Sequence, residues 1–501
     1  MKIFAASQIK ACDAYTIHAA NISSLDLMER ASGRCVEWII SQFPQGSIFV
    51  VLCGSGNNGG DGLAITRMLH QTGYGAKAFL LNFSEQLSPD CESNLQRLQK
   101  IDASLVEVLQ PEAFITDIPS NIIIIDAILG TGLNRAVEGW VAEFINHINA
   151  LPNRKIAIDI PSGMPADNIP NDELEILSVH DTLSFQFYKR SFLHEETGRH
   201  TGNVHIIDIG LSPTFIASTP CHYQTVDAEK IKEIYKPRKP FTHKGDYGNA
   251  LIIAGSYGMM GASVLATKAA IRAGAGKVKA MVPLCGYSIL QTTVPEAMCV
   301  VSGENHVSKI NNWQDAKAIG IGPGMGTHEY TIKAFDDFIE AIKQPIVIDA
   351  DALNILAKQP DMLHKIPAGS ILTPHPKEFE RLFGKTPNSM LQVEHARTQA
   401  MRYNAFLILK GRHTAIATPD GECWYSTDGN AGMATGGSGD VLTGILTGLL
   451  AQGYDSYEAA LLGVYLHAKA GDAAAAKHSQ EAMTAGDIID ALGTIFKEIN
   501  N

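Results

Sequence analysis

Two aspartates close apolar runs: Asp126 follows Ile122–Ile125, and Asp159 follows Lys155–Ile158. Ligands of an open α/β sheet bind beyond the carboxyl ends of its strands, so both carboxylates are expected where a strand ends and solvent begins. A buried, unpaired charge is costly, which argues against either being a core residue. A third segment, Gly54-Ser55-Gly56-Asn57-Asn58-Gly59-Gly60-Asp61-Gly62, follows the apolar run Ile48–Cys53. Its glycines allow close approach and positive φ, and free N–H groups opening a helix can hold a pyrophosphate. The loop lacks the lysine of a P-loop and only begins to match a dinucleotide fingerprint. Each segment alone is also what a turn or cap looks like; three together favour an anion or nucleotide site.

A second set lies further along. In Gly436-Gly437-Ser438-Gly439-Asp440, glycines lead into Val441, Leu442, Ile445, Leu446, Leu449 and Leu450, one buried face of a helix. Such a helix start can cradle a transferring phosphoryl group while Asp440 deprotonates an attacking hydroxyl. The plainer reading makes Asp440 a helix cap. Gly320–Gly326, Asp349 and Asp351, Thr373-Pro374-His375-Pro376 and Lys410–Thr414 each follow an apolar run as well. His375, between prolines after a strand, is expected to line a cleft. No cysteine or histidine cluster at ligand spacing supports zinc.

The elements that must position these residues read as alternating helices and strands. Helical spacing over 9–40 buries Leu25, Met28, Ala31, Cys35 and Ile39. Strands follow at Ile48–Cys53, Ala78–Leu81, Ile122–Ile125, Lys155–Ile158 and Val204–Ile207. A polar, proline-interrupted stretch at Tyr235–Pro240 has the character of a linker or domain edge. A second series begins with strands at Ala250–Ala254, Val278–Val282, Ala318–Ile321, Ile346–Ile348, Ser370–Leu372 and Phe406–Leu409. Helices are predicted over 260–274, 328–343, 390–403, 440–452 and 457–477. The pattern predicts two α/β domains with mostly parallel sheets covered on both faces, 1–222 and 223–501.

Bulk properties agree. A chain of 501 residues exceeds one ordinary core, and 45% hydrophobic with 18% charged residues is globular composition. A net charge of -12 without a Lys/Arg run argues against nucleic acid as a partner. No apolar stretch approaches the roughly 20 residues of a membrane span, and the first ten residues lack a secretory core. The eight cysteines form no CxxC pair and are expected to be reduced thiols in a cytoplasmic protein.

The motifs Asn57–Gly62, Gly130-Thr131-Gly132 and Asp159-Ile160-Pro161-Ser162-Gly163 together resemble the NAD(P)H-hydrate epimerase family over about residues 1–220. That resemblance implies a Rossmann-like three-layer sandwich binding NADH or NADPH hydrated at C6 of the nicotinamide ring. It further implies ligand contacts from Asn57, Asn58, Gly59, Gly60 and Asp61, and from Gly130, Thr131, Gly132, Leu133, Asn134, Arg135 and Ala136. Asp159 would lie at the reacting ring, while Asn58, Asp126 and Ser162 would offer oxygens to potassium. Ser55 and Ala136 stand where the family usually has proline, which loosens the backbone there.

From about 225 onward, Gly436–Asp440, Thr373–Pro376 and Asn354 resemble the ADP/ATP-dependent NAD(P)H-hydrate dehydratase family, whose fold is ribokinase-like. The resemblance implies that Ala262, Gly324 and His375 contact the hydrate. Lys410, Gly411, Arg412, His413, Thr414 and Gly439 would contact the nucleotide, with Asp440 at the reacting end. ADP is the implied phosphoryl donor, though no residue excludes ATP, and magnesium is expected from the chemistry rather than from a ligand set. The first domain would exchange the R and S epimers; the second would convert the S hydroxyl into a phosphate leaving group and restore NAD(P)H. The residue types leave the route of epimerisation open, reversible ring opening included. A homo-oligomer is expected. The rival readings are a ribokinase-like small-molecule kinase fused to a nucleotide-binding domain, and a binding protein without turnover.

Overall fold

The computed structural model describes residues 1–501 except 85, 116, 117, 134, 135, 171–173 and 501. Two compact units divide the chain. One holds Lys2–Cys221 with Asn388–Met390; the other holds Met1, His222–Pro387 and the chain from Leu391 onward.

In the first unit seven strands lie in the spatial order Val106–Leu109, Gly75–Leu81, Ile48–Cys53, Ile123–Ala127, Lys155–Ile158, Asp181–Phe185 and Asn203–Ile207. Every pairing is parallel. The order turns back at Ile48–Cys53, whose two neighbours lead away in opposite directions; crevices for ligands form at such a switch point. Alternate residues of one strand supply two cores. Phe49, Val51 and Cys53 face one, and Val50 and Leu52 the other, so both faces are covered and the sheet is the middle of three layers. The helical stretch predicted over 9–40 is two helices, Ala6–Ala20 and Ser24–Gln42. Asn21 breaks them with φ 52° and Ser23 caps the second.

The motif at 57–62 is helix rather than loop, because helix Asn57–Gln71 starts at its first residue. Glycine is a poor helix former, yet a Cβ at Gly62 would sit 2.7 Å from Ala127 Cβ and 2.8 Å from Cys53 Sγ. Close helix-to-sheet packing outweighs propensity here.

The second unit has ten strands in the order Met298–Val301, Lys277–Val282, Asn249–Ile253, Ala318–Ile321, Val347–Ile348, Ile371–Leu372, Phe406–Leu409, Ala415–Ala417, Cys423–Ser426 and Tyr223–Val226. Pairing is parallel except on either side of Ala415–Ala417. Tyr223–Val226 closes one edge, so the proline-interrupted stretch 235–240 lies inside this unit, after helix Ala228–Ile234. Helices Met260–Arg272 and Ser438–Ala451 pack at glycine: a Cβ at Gly444 would fall 2.2 Å from the Ala266 carbonyl oxygen. Four strands absent from the sequence reading are Met298–Val301, Ala415–Ala417, Cys423–Ser426 and Tyr223–Val226. All are short and three lie at or beside the sheet's antiparallel end, where a few residues of alternating pattern give little periodicity.

Candidate active sites in the two units

Above the switch point of the first unit lies a cavity of about 980 Å³. Of the predicted residues, Asn57, Asn58, Asp61, Gly130, Thr131, Gly132, Leu133 and Asp159 line it. Gly59 and Gly60 do not; they are buried, and a Cβ on them would strike the Gly54 carbonyl oxygen and Met28 Sδ. Ala136 is absent from the lining as well, and Asn134 and Arg135 fall outside the described residues.

Asp159 takes left-handed backbone (φ 65°) just past its strand, a conformation uncommon outside glycine and one that accumulates at functional sites. Its Oδ1 accepts from the Phe185 N–H at 3.0 Å and from Lys189 Nζ. Lys189 is 1% exposed and also donates to Ser184 Oγ at 2.9 Å. Sequence reasoning missed Lys189; a lone lysine among Phe185, Phe187 and Phe192 was its only signal. It also missed Asp13 and Lys10, which helix Ala6–Ala20 brings to the same cavity. Burial, then the charge of Asp159, pushes Asp13 up to about 6, against the pull of Lys189. Asp61 accepts from Ser32 Oγ at 3.0 Å, and burial drives its carboxyl well above the usual range.

Asp126 departs from the expectation that it borders solvent, for it is 0% exposed. Hydrogen bonds replace water: Oδ2 accepts from the Ser162 N–H at 2.7 Å, and Oδ1 from Ser162 Oγ at 2.5 Å and the Ile128 N–H at 3.2 Å. Burial still pushes the carboxyl up to about 6, opposed by those bonds. Asn58 Nδ2 donates to the Leu129 carbonyl at 3.0 Å, and the Leu129 N–H donates to Ser162 Oγ at 2.9 Å. The turn 128–130 thus joins all three predicted potassium ligands. No lysine, arginine or histidine pairs with Asp126 among the described residues.

In the second unit a cavity of about 720 Å³ is lined by His375, Lys410, Gly411, Arg412, Thr414 and Gly439, with Val464, Ala468 and Met433 as an apolar wall. His413 stands apart from it, its Nδ1 3.2 Å from the Ser426 carbonyl. Burial holds that imidazole down at about 4. His375 both lines the cavity and caps helix Pro376–Phe383, Nδ1 accepting from the N–H groups of Lys377 and Glu378 at 3.1 and 3.3 Å. An accepting Nδ1 leaves the proton on Nε2. Burial and the Lys410 charge hold this ring below its ordinary pKa.

Helix Ser438–Ala451 begins after Gly437, whose φ of 91° makes the turn. Asp440 lies in the first turn but is not the cap, and no hydrogen bond reaches its carboxyl among the described residues. Beside it Asp349, 1% exposed, accepts from Lys410 Nζ at 2.8 Å and Thr443 Oγ1 at 2.7 Å. Burial first, then Asp349, pushes Asp440 up to about 7, which Lys410 opposes. Ala262 and Gly324 are not in the lining of this cavity but adjoin each other: a Cβ at Gly324 (φ 59°) would come 3.0 Å from Ala262 Cβ. Asp351, which also acts on Asp440, accepts from the Gly326 N–H at 2.9 Å.

A family model described as NAD(P)H-hydrate dehydratase matches residues 250–493, and one described as YjeF-related protein N-terminus matches 24–191. The bifunctional NAD(P)H-hydrate repair enzyme Nnr of Moorella thermoacetica is 36% identical over 95% of this chain and 93% of its own. The chain belongs to the bifunctional NAD(P)H-hydrate repair enzyme family. The Escherichia coli member is 34% identical over 94% of this chain and 89% of its own. A crystal structure of the ADP/ATP-dependent NAD(P)H-hydrate dehydratase of Bacillus subtilis, co-crystallised with ATP and magnesium, covers 55% of this chain and 98% of its own, at 33% identity and a TM-score of 0.50. The chain is thus a bifunctional enzyme of NAD(P)H-hydrate repair, a Rossmann-like unit followed by a ribokinase-like one.

Proposed function

We propose that residues 1–222 exchange the R and S epimers of NADH and NADPH hydrates, and that residues 223–501 dehydrate the S epimer with ADP, ATP being the alternative donor. The observation that carries the reading is Asp440, an unpaired carboxyl in the first turn of a glycine-led helix. Ala262, Gly324 and His375 hold the hydrate; Lys410, Gly411, Arg412, Thr414 and Gly439 hold the nucleotide, with His413 anchoring their loop to the Ser426 carbonyl. Asp440 takes the C6 hydroxyl proton as that oxygen attacks the terminal phosphorus, releasing AMP. Elimination of phosphate from C6 with loss of a C5 proton to solvent then restores NAD(P)H. Lys410 and helix N–H groups offset charge on the phosphoryl oxygens. When bound, magnesium supplies further charge neutralisation on the nucleotide. Among the described residues no group of three His, Cys, Asp or Glu side chains is gathered for it, as suits an ion held largely by phosphate and water.

In the first unit Asp159 lies at the nicotinamide ring, and Asn58, Asp126 and Ser162 hold potassium. The buried Asp126 carboxyl without a cationic partner supports that ion, since a monovalent charge would offset it among carboxylate, amide and hydroxyl oxygens. The enzyme is proposed to be cytoplasmic and at least dimeric. No helix among the described residues is long and apolar enough to cross a membrane. The exposed edge strand Met298–Val301 leaves Met298 and Val301 45% and 44% exposed, surface a second copy can cover. Incubation with mixed hydrate epimers and ADP, following NADH absorbance and phosphate release, tests the reading. Full recovery of both epimers with one phosphate per NADH is expected; a persistent phosphorylated product or no turnover would refute it.

A further inference from the structure

We propose that Asp13, on helix Ala6–Ala20, is the proton donor to the C6 hydroxyl during epimerisation. The proposal rests on the reading that this cavity binds the hydrate with Asp159 at its ring.

Four carboxyls line the cavity wall: Asp13, Asp61, Asp159 and Asp167. Three are already engaged, Asp167 with the Ala6 N–H. Asp159 is paired with the buried Lys189 and accepts the Phe185 N–H, while Asp61 is 7% exposed and accepts from Ser32. Asp13 is half-buried and has no hydrogen-bond or ion-pair partner among the described residues. Its carboxyl is therefore the one free to meet a ligand. The groups around it are Asp159 at its strand end, Asp61 on helix Asn57–Gln71, Lys189, and Cys12 on its own helix. Lys10 and Asp167 line the same cavity, the latter accepting the Ala6 N–H at 2.9 Å. Burial, then the charge of Asp159, against the pull of the buried Lys189, brings Asp13 to about 6, where a carboxyl can both give and regain a proton near neutrality.

In the step itself the Asp13 proton passes to the C6 hydroxyl as the C6–O bond breaks, and the bond pair leaves with water. The lone pair of N1 forms the N1=C6 bond, and the resulting cation faces the Asp159 carboxylate. Water then adds to the opposite ring face, N1=C6 returns its pair to N1, and the released proton passes through solvent to restore Asp13. One water leaves and one enters, and nothing is oxidised.

The test uses the full chain without nucleotide, following R/S exchange by chiral chromatography in oxygen-18 water. Each inversion is expected to place one solvent oxygen at C6. Asp13→Asn should lower kcat for exchange at least ~100-fold, with KM within about threefold. The wild-type fall in kcat as pH rises past the Asp13 titration should vanish in that variant. Asp13→Glu, which keeps the acid, should recover much of the rate and shows that the helix tolerates change. Exchange in Asp13→Asn within about threefold of wild type, an unaltered pH profile, or inversion that retains the original oxygen would overturn the proposal. If Asp159→Asn is inactive while Asp13→Asn is not, Asp13 alone is misassigned. If wild-type protein shows no exchange, the reading of the cavity falls, and this inference with it.

Discussion

Each unit sets a paired carboxylate beside an unpaired one. Asp159 is tied to Lys189 and sits near Asp13; Asp349 is tied to Lys410 and sits near Asp440. The lysines differ. Lys189 is 1% exposed and reaches only protein oxygens, whereas Lys410 is 22% exposed and lines its cavity. A buried lysine can only fix charge, which suits the acid chemistry proposed for the first site. A lysine at a cavity wall can turn from Asp349 toward an incoming phosphate, as phosphoryl transfer requires.

The largest effects are expected at the two proposed catalytic carboxylates. Asp440→Asn keeps size and hydrogen bonding but removes the proton acceptor, and should cost ~10³-fold in nucleotide-dependent dehydration while R/S exchange continues. Asp159→Asn should do the reverse, leaving S repaired and R draining only at its spontaneous rate. Chiral chromatography paired with NADH recovery reads both. Near-native dehydration in Asp440→Asn would remove its role as base. Next come the lysines. Lys410→Ala should lower kcat/KM for nucleotide roughly 100-fold by removing a donor to the phosphates. Lys189→Ala strands a largely buried carboxylate and should destabilise its unit by roughly 2–4 kcal/mol, read in urea unfolding followed in that unit. Equal stability losses in the two variants would erase the distinction drawn between them.

A smaller effect follows from the titration of Asp440. With its carboxyl raised to about 7, the base is mostly protonated below that pH, so dehydration should rise about tenfold between pH 6 and 8. The stability sign is opposite to that of a salt-bridged aspartate. Folding raises this pKa above its unfolded value, so ionisation penalises the folded state, and stability falls as pH rises through about 7. Asp440→Asn should therefore be more stable than wild type above that pH, by about 1–2 kcal/mol after allowing for partial exposure. A flat rate profile from pH 6 to 8, or a variant less stable at pH 8, would reject this account.

What the sequence revealed follows a physical pattern. Asp159 and Asp440 were legible because each stands next to a long apolar or glycine-marked element whose end the residues announce. Lys189 and Asp13 were not, since only the tertiary fold decides which lysine is buried and which polar position of a helix faces a cavity. The same limit hid strand Asp181–Phe185, which opens on a charged residue paired with Arg154 and hydrogen-bonded to His205. It also hid the burial of Asp126, two of whose three compensating donors come from Ser162, 36 residues on, and the third from Ile128 in its own turn. Two-residue strands such as Val347–Ile348 were legible as the apolar runs that precede the Asp- and Pro-bearing loops.

The smallest effect is expected at Asp126. Asp159 and Asp349 each have a lysine, but Asp126 is 0% exposed with hydrogen bonds alone among the described residues. Hydrogen bonds from neutral donors moderate the cost of a buried charge without cancelling it. A potassium ion shared with Asn58 and Ser162 would supply the missing charge and fix the turn 128–130, which carries Leu129 and Gly130 to the cavity wall. Sodium is smaller and draws oxygens closer, so the same turn should hold it less well. Replacing sodium by potassium at matched ionic strength should raise epimerisation several-fold and lift the melting temperature of this unit. Asp126→Asn should abolish the response to the ion, because the amide carries no charge to balance. Equal rates in the two salts, or a potassium response that survives Asp126→Asn, would show that Ser162 and the turn N–H groups suffice and that Asp126 needs no cation.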